Sequence, residues 1–229
     1  MICIVLIFFN NTVVLGINAW IKPAKFLLSS WILAWTMGWY LYYLEAPGKS
    51  LYYSVMVVIV MAFELFVITW QAANGRLSHF NTSSSFYLTL YNAMGVAIVI
   101  LVLWTVYITI LFFRKKNFIV PMPYIWGIRL GLVFFIIFSF EGGIMATRLA
   151  HTVGALDGGS GLPFVNWSDA YGDLRVAHFF GIHSLQILPL TGYFIARNNK
   201  QIFLVAFLYF AMVSIMLWQA LSQVPIWRS

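Results

Sequence analysis

Four histidines, His79, His151, His178 and His183, and two glutamates, Glu64 and Glu141, are the residues of this 229-residue chain whose types could carry chemistry. Imidazole serves as a ligand for zinc, iron, copper or haem, and beside a carboxylate it relays protons. Spacing narrows the choice. His178 and His183 are five apart, about 140° around a helix of 3.6 residues per turn, so a regular helix cannot aim both at one metal. The His-Glu-x-x-His pattern of zinc hydrolases is absent. Haem held between helices needs two imidazoles at similar depth on facing helices, and His151 with His183 is the pair on offer. A non-haem metal would draw on His79, His151 and His178 or His183 with an acidic ligand. All four histidines are therefore candidate cofactor ligands, for haem b or a divalent metal, beside the alternative of structural or proton-handling imidazoles.

The glutamates lie inside long apolar runs, where a charge costs at least about 2.5 kcal/mol at a helix centre and usually marks function. Residues seven apart return to nearly the same helical face, which aligns Glu64 with Gln71 and Glu141 with Arg148. His151 follows Arg148 by three, and His183 and Gln186 are also three apart. The expectation is one polar cluster of Glu64, Gln71, Glu141, Arg148, His151, His183 and Gln186. Against it stands the plainer role of buried polar residues as hydrogen-bonded glue between helices. An amide would serve that role at lower desolvation cost than a carboxylate, so the plain reading fits Gln71 and Gln186 better than the glutamates.

The elements that must position these groups are transmembrane helices. The chain is 62% hydrophobic and 8% charged, against about a quarter charged in soluble domains. Apolar stretches long enough for a hydrocarbon core of about 30 Å fall near 2–20, 27–44, 51–73, 87–113, 122–147, 176–196 and 202–222. The spacing predicts an all-α integral membrane bundle of about seven helices in a single domain, 1–229. The first span is interrupted by Asn10, Asn11 and Asn18, and six is the fallback count. Connections are short and punctuated by Pro, Gly and charged residues, except for a Gly- and Asp-rich loop at 148–175.

Two spans separate the loop at 74–86 from that at 148–175, so all four histidines lie toward one membrane face. The run Arg114-Lys115-Lys116 places its loop in the cytoplasm, with Lys49, Arg197 and Lys200. The other face then holds Lys22, Lys25, Arg76, Arg148, Arg175 and Arg228. The net charge of +7 is scattered singly, without the basic stripe that nucleic acid would need. One cysteine, Cys3, permits neither an internal disulfide nor a thiolate cluster. Asp173 reads as the N-cap of the sixth helix, Asn74-Gly75 as the end of the third, and Arg76 as a partner for an acidic group of the long loop. Asn81-Thr82-Ser83 is a glycosylation sequon. The last span lacks the lysine that retinal proteins need.

Asn18-Ala-Trp-Ile-Lys-Pro-Ala-Lys-Phe26, Gly75-Arg-Leu-Ser-His-Phe-Asn81 and Gly172-Asp-Leu-Arg-Val-Ala-His-Phe-Phe-Gly-Ile-His183 resemble an uncharacterised group of bacterial multi-pass membrane proteins. That resemblance spans most of the chain and implies a bacterial inner-membrane location with no activity attached. The stretch from Gly142 to Trp167, followed by His178, is similar to haem A synthases, but without their His-Arg pair, cysteine pair or second copy of the unit. The functional expectation is a small haem- or metal-binding redox protein, or an accessory subunit of a respiratory complex docking quinone or other membrane subunits. The alternative is a proton-coupled transporter, channel or sensor for a small solute or cation.

Overall fold

A computed structural model describes residues 2–227, so Arg228 lies outside the described residues. The chain divides into two compact units, residues 1–41 with 45–101, and residues 42–44 with 102–229. The described residues contain eight helices and four short strands in two antiparallel pairs.

The first unit opens with α1 (Ile2–Phe9), followed by a hairpin of β1 (Val13–Val14) and β2 (Ile17–Asn18). The expected first span, 2–20, is therefore not one continuous helix. The polar residues that interrupt the run explain why. Asn18 donates through Nδ2 to Ile7 O at 3.2 Å and Asn10 O at 2.7 Å, satisfying carbonyls at the end of α1. Leu15 and Gly16 both take positive φ, 51° and 77°, the geometry of a tight hairpin turn. Helix α2 (Ile21–Leu44) then runs to Glu45, and Pro47 opens α3 (Pro47–Ala73), where a proline at the first position loses no helical hydrogen bond. Asn74 and Gly75 end α3 as expected, with Gly75 left-handed at φ 63°. Helix α4 (Ser85–Arg114) follows, and its residues from Val102 onward belong to the second unit.

Helix α5 (Met122–Arg148) is the axis of the second unit. It is followed by β3 (Thr152–Val153), paired antiparallel with β4 (Gly172–Asp173), then α6 (Leu174–Ile182), α7 (Ser184–Phe194) and α8 (Asn199–Leu221). One apolar run, 176–196, becomes two helices meeting at His183. Pro189 has no N–H to offer Leu185 O and its ring crowds that carbonyl, which loosens the turn after His183.

Glycines let α5 and α7 approach closely. A Cβ on Gly127 would lie 2.6 Å from Leu188 O, and one on Gly131 2.8 Å from Ser184 O, while Ser184 Oγ donates to Gly131 O at 3.0 Å. This is the small-xxx-small pairing by which helices associate where no hydrophobic effect drives them together. Arg129, buried at 6% exposure, forks onto the end of α4: Nε and Nη2 donate to Phe112 O, and Nη2 to Lys115 O at 2.9 Å. Lys115 Nζ in turn donates to Tyr43 O and Leu44 O at the end of α2. Both cations sit where the helix dipole favours positive charge.

Helices α3, α4, α5 and α8 are long and apolar enough to cross a bilayer. Their outward sides are apolar too, as Phe66 of α3 and Phe207, Leu208 and Trp218 of α8 show. A helix hydrophobic all round and exposed on one side fits a lipid surrounding, and these four are compatible with a membrane protein.

Candidate functional site

In the second unit, Glu141 of α5 is 5% exposed, and its Oε2 lies 3.2 Å from His178 Nδ1 on α6. The same Nδ1 lies 2.9 Å from Phe138 O, an atom that can only accept. Nδ1 therefore carries the proton and donates to both oxygens, and Nε2 is the basic nitrogen of the neutral ring. Glu141 Oε1 is buried with no hydrogen-bond partner. Gly142 eases the approach: a Cβ there would sit 3.1 Å from His178 Cε1 and crowd the imidazole where it lies against α5.

His183, between α6 and α7, presents Nδ1 to Gln186 Oε1 at 3.0 Å and packs its ring on Phe179 with centroids 4.4 Å apart.

His151 belongs to the loop after α5. Its Nδ1 is 2.6 Å from Asp157 Oδ2, and the Asp157 carboxylate also accepts the backbone N–H groups of His151 and Thr152. Burial works to raise the Asp157 carboxyl, but the His151 hydrogen bond and charge with the two backbone donors outweigh it and hold it well below the usual carboxylate range. A depressed carboxyl stabilises the fold fully above its unfolded value of about 3.9 and loses that contribution as pH falls through the lower folded value. The loop is thus expected to stay closed at neutral pH and to open only below about pH 4. At pH 7, Asp157→Ala is expected to speed proteolytic cleavage within 149–173. Wild-type cleavage rates in that variant would show that Asp157 does not anchor the loop.

Asp173 caps α6 through the Arg175 N–H, as its position suggests, and also pairs with the Arg175 side chain.

In the first unit, Glu64 of α3 is 3% exposed, with Oε1 buried and unpartnered and Oε2 4.0 Å from His79 Nε2. His79 sits between Phe26, at 5.2 Å between centroids, and Phe80, which takes a left-handed φ of 59°. Gln71 shapes the loop that carries His79: Nε2 donates to Ser78 O at 3.0 Å, and Oε1 accepts from Asn81 Nδ2 at 2.8 Å. Asn81 is consequently buried, with the amide nitrogen of its sequon engaged. Arg76 stacks over the Tyr87 ring at 4.7 Å.

Each histidine thus engages its own carboxylate or amide. Glu64 and Glu141 fall in different units, and Gln71 serves the His79 loop without a bond to Glu64. Arg148 is exposed at the end of α5. Residues seven apart on a helix share a face but stand about 10 Å apart along the axis. The similar depth required of a His151–His183 haem pair is not met: His151 O accepts from Leu174 N at the start of α6, and His183 lies nine residues, about 13 Å, further along. Among the described residues, no three His, Cys, Asp or Glu side chains gather as metal ligands would.

Arg129, Gly142, Ser184 and Asp157 gain their structural roles only from the fold. A lone arginine inside an apolar run was the available signal for the first, and an acidic residue six after His151 for the last. No protein-family model, curated protein or solved structure matches the chain.

Proposed function

We propose that this chain is a multi-pass membrane protein whose Glu141–His178 pair takes up and releases protons in support of the movement or sensing of a small solute or cation. The observation that carries the reading is Glu141 itself. Its carboxyl is buried in an apolar helix, with one oxygen on His178 and the other on nothing. A residue serving only to join helices has no use for that second oxygen, whereas a group that binds a proton does. His178 adds a basic Nε2 on a ring whose tautomer is fixed from the other side. His183 with Gln186 forms a separate polar pair in the same unit, and Glu64 with His79 a looser one in the first unit. The redox reading, with haem or metal and a quinone or respiratory partner, has no geometry in its favour.

Six crossings suit the helix lengths. Helices α2, α3, α4, α5 and α8 provide five, and α6 with α7, residues 174–194, provides about 31 Å for the sixth. Helix α1, at about 12 Å, falls short of a seventh. The resemblance to bacterial multi-pass proteins supports a bacterial inner membrane as its location.

Proteoliposomes loaded with a pH-sensitive dye test the function. Under an imposed pH gradient, Glu141→Gln and His178→Ala are expected to slow proton entry about a hundredfold, the scale on which a positioned acid or base acts. Exposed Arg148→Ala should leave it unchanged. Wild-type flux in Glu141→Gln would remove the pair from the pathway.

A further inference from the structure

We infer that the N-terminal element, α1 with the β1–β2 hairpin, is seated in a single leaflet, with its outer face against lipid acyl chains at the level where α3 ends. The inference rests on the multi-pass reading above and concerns a segment which that reading leaves without a place.

Helix α1 has two unlike sides. Cys3, Leu6 and Ile7, spaced three and four apart, pack with Val14 onto Ala19, Trp20 and Ala72. Ala72 is in the last turn of α3, and Thr12 touches the Gly75 turn just beyond, since a Cβ on Gly75 would lie 3.4 Å from Thr12 Cγ2. The depth of the element is therefore tied to the end of an apolar helix. The other side of α1 presents Ile2, Ile4, Val5, Phe8 and Phe9, with Phe8 and Phe9 at 76% and 82% exposure. No residue from 2 to 21 is charged.

The level is marked independently by aromatic rings. Trp70 stacks on Tyr87 and meets Phe86 edge-on, and Arg76 lies over Tyr87, all within a turn or so of the ends of α3 and α4. Trp and Tyr with a nearby cation are the usual anchors at the boundary between headgroups and acyl chains. An uncharged helix bound at that level, apolar on the side away from the protein, matches lipid and not water. Its backbone is also prepared for such a setting, because the Asn18 amide satisfies Ile7 O and Asn10 O, and Asn18 Oδ1 accepts the Trp20 N–H.

Environment-sensitive fluorophores on single cysteines decide the matter. In a Cys3→Ser background, one probe goes on Phe9→Cys, one on Leu208→Cys of exposed α8, and one on Leu156→Cys of the long loop, in full-length protein in liposomes. The expected pattern at Phe9 is strong quenching by lipids labelled near the headgroup, weaker quenching by lipids labelled near the chain end, and little quenching by aqueous iodide. Iodide quenching at Phe9 equal to that at Leu156 overturns the inference, as does chain-end quenching at Phe9 equal to that at Leu208. Shielding from both lipid and iodide, with disulfide-linked dimers formed by the unlabelled Phe9→Cys protein, would assign the face to a second copy and also overturn it. Loss of lipid quenching at Leu208 would instead strike the multi-pass reading itself.

Discussion

Replacing Gly127 or Gly131 by alanine is expected to destabilise the second unit by about 1–3 kcal/mol each, the usual cost of an added methyl group in a packed interface. The added Cβ would stand 2.6 Å from Leu188 O in one case and 2.8 Å from Ser184 O in the other. Both obstacles are backbone, so no side chain can rotate aside. Helix α7 would have to move away, stretching the Ser184 Oγ bond to Gly131 O. Gly143 is the internal control, since nothing lies within 4 Å of its Cβ position on the same helix. Gly143→Ala should stabilise by up to about 1 kcal/mol, because alanine is the better helix former. Thermal unfolding of the three variants in detergent reads the contrast. Equal midpoints for Gly127→Ala and Gly143→Ala would show that the close approach of α5 and α7 is not what holds this unit.

The second large effect is expected at Arg129. Its guanidinium serves Phe112 O and Lys115 O together and lies over the rings of Phe113, Phe118 and Trp126. Arg129→Met keeps much of the apolar stem but deprives two carbonyls at the end of α4 of their charged donor. A charge-assisted hydrogen bond is worth about 1.5–3 kcal/mol, so a loss of about 3 kcal/mol is the expected outcome for the pair of sites. Arg129→Lys should recover only part of it, because an ammonium is a point donor and cannot fork between two carbonyls while stacking on rings. Denaturant unfolding of both variants tests this, and a lysine variant as stable as wild type would contradict the fork.

What composition and hydropathy made legible was the class of fold. Runs such as 51–73 and 87–113 have no other structure open to them than long apolar helices, and α3 and α4 follow them closely. The N-terminal segment departs from the expected span because average hydropathy cannot register that the Asn18 amide finds partners in the Ile7 and Asn10 carbonyls at the end of α1. The break at His183 was equally hidden, since Pro189 lies several residues from where its effect falls.

The candidate site was legible by residue type but not by pairing. Glu64, Glu141 and the histidines stood out because charge and imidazole are costly in apolar surroundings. Which acid meets which base depends on the rotation of α6 against α5, and that is set by Gly142 and Gly181, whose small size carries no chemical signal. Counting sevens along one helix put Arg148 with Glu141 and Gln71 with Glu64, while the contacts formed join Glu141 to another helix and Gln71 to a loop. Asp157 escaped notice because loop aspartates usually serve turns, and this one closes the turn and holds His151 at once.

The central claim is that Glu141 exchanges a proton beside His178, and infrared difference spectroscopy across a pH step observes that exchange at the carboxyl group itself. The account predicts a carboxylic C=O band that moves in deuterated water, disappears in Glu141→Gln, shifts in His178→Ala and persists in Arg148→Ala. A difference spectrum unchanged in Glu141→Gln would mean that this carboxyl takes no part in proton exchange, and the proton-handling function would fall with it.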